Sequence, residues 1–348
     1  MPSTDSDQTA TQPVDARAFA RRLMRYGGPS SARSLFEISI TVAPLIVITV
    51  LGWMALRHHV WWGLALVVPA AGFLVRLFMI QHDCGHGAFF RWKKLNDWVG
   101  RAIGVLTLTP YDYWRRSHAM HHATSGALEK RTLGGIETLT VEEYLALPRI
   151  KRFGYWLYRH PVVMFGLGPA YMFMIQHRVP IGMMRQGWRP WVSVLATNLA
   201  ILALAIGMMW IFGVVPFLLI WLPVTLLAAS AGVWLFFVQH QFENTYWARG
   251  EWDFHEAALQ GSSHYDLPAV LRWFTANIGI HHVHHLNSRI PYYRLGQVLR
   301  DEPQLRERGR LTLWQSFRCV RLALWDEGSR RLISFSELRR LVRAPAAA

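Results

Sequence analysis

Four runs of about twenty apolar residues constrain this chain more than any other feature, because a helix of that length crosses the hydrocarbon of a bilayer. They are Ile38–Leu56 (ISITVAPLIVITVLGWMAL), Trp61–Ile80, Trp191–Phe212 and Val215–Val238. The first two are joined by a short RHHV turn and the last two by the Gly213–Pro216 turn, so the runs pair as two helical hairpins. Arg76 lies about one turn from the end of the second run, where a long side chain is expected to snorkel to the interface. The composition agrees with a membrane protein: 52% of 348 residues are hydrophobic and only 17% charged, too apolar for an average soluble domain.

The basic residues give an orientation. Arg17, Arg21, Arg22, Arg25 and Arg33 precede the first run, while Arg91, Lys93, Lys94, Arg101, Arg115, Arg116, Lys130 and Arg131 lie between the hairpins. The two turns on the other side carry only Arg57. By the positive-inside rule both termini and the central loop are cytoplasmic, and the protein is a multi-pass component of the cytoplasmic membrane. The net charge of +15 sits beside the apolar runs and in no recognisable nucleic-acid module, so it marks membrane-surface anchoring and no nucleic-acid partner. Val99–Leu108 is too short to span, and Val162–Ile175 is interrupted by Gly166, Gly168 and Pro169; both are expected to lie in the interface. The fold class is therefore all-α integral membrane, with four transmembrane helices in two hairpins, interfacial helices and a cytoplasmic histidine-rich helical cap. Residues 1–34 are expected to be a cytoplasmic tail, disordered over MPSTDSDQTATQPVD, residues 35–299 the membrane domain, and residues 300–348 a cytoplasmic C-terminal region with a frayed end at 346–348. The two cysteines, Cys84 and Cys319, are far apart and suggest neither a disulfide framework nor a thiolate metal site.

The chain has 16 histidines, and their spacing is more informative than their number. His82 and His86 in HDCGH are i, i+4; His118, His121 and His122 in HAMHH are i, i+3, i+4; His281, His284 and His285 in HHVHH repeat that pattern. Each set lines one face of a helix. All three follow or lie between the runs on the cytoplasmic side, so they can converge. Imidazoles gathered without a partner would repel when protonated and cost desolvation when neutral; a metal removes both problems. Four ligands satisfy structural zinc and soft copper sites recruit sulfur, whereas so many nitrogens suit two ions with open positions. An oxygen-activating pair of irons fits best by exclusion, although spacing does not separate iron from zinc or manganese.

These three boxes, with TPYDYWRRSHAMHH, FVQHQFENTYW and NIGIHHVHHLNSRIPYYRL around them, resemble the membrane fatty acid desaturases, and within them the bacterial branch similar to the Δ12 and omega-3 acyl desaturases. The resemblance runs from about Leu35 to Leu299. It implies a di-iron centre held by His82, His86, His118, His121, His122, His281, His284 and His285, completed by His240 of QHQFE after the fourth run. His282 occupies a variable position turned off the ligand face. Asn277 is a candidate for a further, water-mediated contact. Asp83, Asp112 and Glu243 are candidates to accept the outer N–H of ligating imidazoles, Asp112 being equally readable as a helix cap. The implied reaction consumes O2 and introduces a cis double bond into an acyl chain of a membrane lipid, at Δ12 (oleoyl to linoleoyl) or a nearby position. Phe89, Phe90, Trp92, Trp114, Phe242, Trp247 and Phe274 are candidates for the wall of an acyl tunnel. No flavin, nicotinamide or cytochrome b5 motif is present, so electrons are expected from a separate ferredoxin or cytochrome b5-like protein. The same histidine scaffold also serves lipid or carotenoid hydroxylases and ketolases. A metal transporter or sensor is the remote alternative, disfavoured because Ile38–Leu56 contains no ionisable residue.

Overall fold

The computed structural model describes residues 16–131 and 134–343; the expectations for the first fifteen residues and for 346–348 fall outside them. Helix α1 (Ala16–Leu23) leads into α2 (Ser31–Arg57), whose start is fixed by the Ser30 side chain accepting the Arg33 backbone N–H. After a 3-10 turn, α3 (Val67–Gly85) returns antiparallel to α2. Next come α4 (Lys93–Leu106), α5 (Tyr111–Thr124), α6 (Val141–Ala146), α7 (Arg149–Tyr158) and α8 (Gly168–Met174). The second hairpin is α9 (Trp188–Phe212) and α10 (Val214–His240), and it turns at Gly213, whose φ of 89° is open to glycine. The chain ends with α11 (Phe254–Gln260), α12 (Ala269–Phe274), α13 (His281–Leu286), α14 (Tyr292–Asp301), α15 (Leu313–Cys319) and α16 (Phe335–Arg343).

Among the described residues four helical segments are long and apolar enough to cross a membrane, and they are the expected pairs: Ser31–Arg57 with Trp61–Gly85, and Trp188–Phe212 with Val214–His240. Their surfaces require lipid. Leu195, Leu199, Leu202, Ile206 and Trp210 of α9 are exposed, an apolar face too long for water. The protein is thus an all-α membrane protein. Because α3 and α10 both end at the same side, the histidines at their C-termini, His82 with His86 and His240, come to one end of the bundle, and the remaining helices cap it.

Arg76 departs from expectation. It does not snorkel but is buried, ion-paired with Glu37 of α2, and it also donates to Thr41 Oγ1 (3.2 Å) and to the Trp273 carbonyl. Its guanidinium lies over the Trp273 ring, 4.0 Å from the centroid. The carboxylate and these acceptors replace the water that snorkelling would have reached.

Two small sheets were not anticipated. β1 (Leu139–Thr140) pairs parallel with β4 (Leu322–Asp326), which pairs antiparallel with β5 (Arg331–Ser334); β2 (His264–Asp266) pairs parallel with β3 (Arg310–Thr312). They weave the C-terminal region into the cap, and the expected boundary at 299/300 falls inside α14. Residues 16–30 are likewise part of the cap, and α2 begins at Ser31: α1 packs on α11 and α13, burying Phe19 and Leu23, and the Tyr26 hydroxyl donates to Asp301 (2.9 Å).

Candidate metal centre

The nine histidines singled out from the sequence meet at the end of the bundle in two groups, His82, His86, His118, His122 and His284, and His121, His240, His281 and His285. Within each group the candidate ligand atoms lie within 4.8 Å of one another. The boxes do not map one to one onto groups. In α5, His118 and His122 are one turn apart and join the first group, whereas His121 turns into the second; α13 divides the same way, His284 from His281 and His285. The His122 and His285 rings stack at the boundary, 4.0 Å apart.

The geometry suits a cation in each group. In the first, Nε2 atoms follow one another at 3.0–3.2 Å from His86 through His118 and His122 to His284. In the second, His240 Nε2 lies 3.0 Å from both His121 Nε2 and His281 Nε2, and His281 lies 3.1 Å from His285. Nitrogens held about 2.1 Å from a shared ion are about 3.0 Å apart across a right angle and about 3.4 Å across a tetrahedral one. His240 Nδ1 donates to the Gly261 carbonyl (3.1 Å), so its Nε2 carries a lone pair and no proton where two other nitrogens converge. Burial, reinforced by neighbouring imidazoles, pushes His86, His118, His121, His122, His281, His284 and His285 well below the usual imidazole range, leaving them neutral and able to donate lone pairs.

Asp83 Oδ1 accepts from His82 Nδ1 (3.2 Å) while its Oδ2 accepts the backbone N–H of Tyr292 (2.7 Å) at the start of α14. That bond selects the His82 tautomer whose Nε2 faces the group. Tyr292, which the sequence did not single out, is therefore tied to the centre, and its hydroxyl donates to Glu37 (3.1 Å), linking the centre to the buried Arg76 pair. Gly85 also has a reason: a Cβ there would meet the Trp114 ring at 2.9 Å, and Trp114 stacks on His118 with centroids 4.7 Å apart.

Three other candidates lie elsewhere. Asp112 pairs with Arg101 (2.8 Å) and Arg115, and it caps nothing, Pro110 standing at the N-cap of α5. Glu243 is exposed and pairs with Arg331 (3.2 Å), because the chain leaves helical conformation after His240. Asn277 has a φ of 57° in a turn, so it is not one helical turn before His281 and joins neither group. His264 is buried and bonds to the Arg306 carbonyl, while its neighbour His282 bonds to the Leu305 carbonyl (2.9 Å) outside both groups. Replacing Asp83 with Asn is expected to lower metal affinity or turnover about 10- to 100-fold, whereas Asp112→Asn and Glu243→Gln leave metal content within about twofold. Metal analysis of the three purified variants checks this, and equal loss from all three would contradict these placements.

A cavity of about 880 Å³ opens onto both groups, touching His82 and His118 on one side and His121, His240 and His281 on the other. That volume lies in the range of about 300–1,000 Å³ typical of small-ligand sites. Its wall includes an apolar set, Val75, Phe78 and Met79 of α3 with Met164, Leu167 and Phe173, while Arg131, Glu137, Gln239 and Gln241 also border it. Of the seven aromatic wall candidates only Trp114 and Trp247 border it. Phe89 and Phe242 are packed in the core and Trp92 is exposed, since nearness in sequence to a histidine box does not fix the side of the helix.

A membrane-embedded helical bundle that presents two clusters of imidazoles to a mainly apolar cavity defines a class: histidine-centred membrane metalloenzymes acting on hydrophobic chains. Within that class, the chain belongs to the fatty acid desaturase family, whose model, described as fatty acid desaturase, matches residues 59–317. It is 41% identical over 326 residues to a fatty acid desaturase of Bacillus subtilis, covering 93% of this chain and 92% of the relative. It is 30% identical over 261 residues to the sn-1 acyl-lipid omega-3 desaturase (ferredoxin) of Synechocystis, covering 69% and 68%. It is 26% identical over 286 residues to the sn-1 oleoyl-lipid 12-desaturase of the same organism, covering 76% and 74%. The protein is accordingly an oxidoreductase.

Proposed function

We propose that this chain is an O2-dependent acyl-lipid desaturase that inserts a cis double bond at Δ12 of a membrane-lipid acyl chain, or at a nearby position. The observation that carries this reading is a cavity whose wall along α3 and α10 is mainly apolar and which borders both imidazole groups. When bound, a pair of iron ions supplies the oxygen activation needed to remove hydrogen from unactivated methylenes, chemistry that no side chain provides. The chain's own residues position the reaction. His82, His86, His118, His122 and His284 are the ligands of one ion, and His121, His240, His281 and His285 of the other. Asp83 and the Gly261 carbonyl hold His82 and His240 in the tautomer that points Nε2 inward, and Trp114 fixes the His118 ring. The apolar wall excludes water and holds the chain so that chosen carbons face the imidazoles.

Electrons come from a separate carrier. Relatives from Synechocystis and Nostoc are named as ferredoxin-linked, which supports a ferredoxin or a carrier like it. The basic residues flanking the apolar runs support a cytoplasmic location for the histidine end and both termini, by the positive-inside rule. Expression in a host whose lipids contain oleate is expected to yield a new dienoic acid with a cis bond, read by mass spectrometry of total fatty esters. Hydroxylated or ketone products without a new double bond would overturn the proposal.

A further inference from the structure

The cavity is read above as the acyl site, and the following rests on that reading. On α10 the residues bordering it include Thr225, Ala228, Ala229, Gly232, Phe236 and His240, the spacing of one helical face. Phe236 stands beside the histidines, its ring 4.9 Å from His121 and 5.1 Å from His240. Beyond it, Val233 and Leu235 apart, the bordering residues at 232, 229, 228 and 225 are small, although most of α10 is bulky and apolar.

Small residues on a membrane helix usually admit a neighbouring helix, and such a contact is visible at Gly52, where a Cβ would meet Ile220 at 3.0 Å. Gly232 is different. A Cβ there would meet nothing within 4 Å, so the glycine borders open space and not a packed partner. Thr225 and Ala229 are 3% and 5% exposed, which places the end of this face inside the protein and away from lipid. The same cavity is bordered by Leu74, Val75, Phe78 and Leu167, so the small face belongs to a space whose other apolar walls suit an alkyl chain.

We propose that the α10 face from Gly232 to Thr225 is the gauge that decides which carbons of the acyl chain reach the imidazole groups. Position 232 lies about 12 Å along the helix axis from His240, and position 225 about 22 Å. A chain seated along this face, with its far segment over Gly232 and Ala229, has its reacting carbons placed by how far that segment can advance. A larger side chain at 232 closes the outer part of the arm and favours chains with fewer carbons beyond the reacting pair.

The test compares wild type, Gly232→Ala and Gly232→Leu in a host supplied with monounsaturated acyl chains of fourteen, sixteen and eighteen carbons. Gly207→Leu on α9 serves as control, since that glycine also has open space but does not border the cavity. Products are scored by chain length and double-bond position, with metal content measured on the purified proteins. The ratio of eighteen- to fourteen-carbon products is expected to fall about 10-fold or more in Gly232→Leu and by less in Gly232→Ala, with metal content and Gly207→Leu unchanged. If Gly232→Leu does not accumulate, the shift in Gly232→Ala decides. An unchanged ratio and bond position in the accumulating variants, or equal loss at every chain length, overturns the gauge while leaving the desaturase reading intact. No new double bond from wild type overturns both.

Discussion

Replacing His240 with Ala is expected to abolish metal binding in its group and to cut turnover by at least about 100-fold, whereas His86→Ala is expected to leave a measurable share of its metal in place. The asymmetry follows from ligand number. His240 belongs to the group of four and His86 to the group of five, so the first change leaves three imidazoles and the second leaves four. His240 also sits between two others, its Nε2 3.0 Å from those of His121 and His281, and its Nδ1 proton is committed to Gly261. Its removal takes away the nitrogen that links His121 to His281. Loss of an outer hydrogen-bonding partner alone typically costs about 10- to 100-fold, and loss of a ligand in a four-member set should exceed that. Metal content per chain by mass spectrometry, together with desaturation of oleate, reads both variants. Equal metal retention in the two would contradict the five-and-four division, and full activity in His240→Ala would remove His240 from the centre.

That division was beyond the reach of the sequence, although its members were not. The i, i+3, i+4 spacing places His118, His121 and His122 on one helical face, but that face is wide enough to serve two centres, and only the neighbouring helices decide which histidine serves which. The four apolar runs were legible because a long uncharged helix has few alternatives to a bilayer. The small sheets were not: β1 has two residues and β2 and β3 three each, too short for any alternation to show. Asp83 was legible because it sits beside a histidine in a helix. Asp112 and Glu243 failed as candidates because proximity in sequence does not determine which basic side chain is nearer; Arg101 and Arg331 are. Tyr292 could not have been found, since its contribution to Asp83 is a backbone N–H and every residue except proline has one.

Arg76 raises the second large effect. Arg76→Ala is expected to destabilise the protein by about 3–5 kcal/mol, because it strands the Glu37 carboxylate in the bundle without its counter-charge. Glu37 is 1% exposed and Arg76 3% exposed, so water cannot screen either charge once the other is gone. Arg33 also reaches Glu37, at 2.7 Å, but its own side chain is half exposed and compensates only in part. The double change Arg76→Met with Glu37→Leu removes both charges, and should recover much of the loss, since paired burial costs desolvation that an apolar pair avoids. Thermal unfolding in detergent or nanodiscs measures each variant, and a double variant no better than Arg76→Ala would sink the argument. The effect should also reach the metals in a set order. Glu37 accepts from the Tyr292 hydroxyl, the Tyr292 N–H holds Asp83, and Asp83 orients His82. Slackening this chain in Arg76→Ala should therefore weaken the group containing His82 before the group containing His240, so that partly depleted protein retains the four-histidine ion longer. Pairing Arg76→Ala with His240→Ala should then leave little metal at either position, because each substitution loosens a different group.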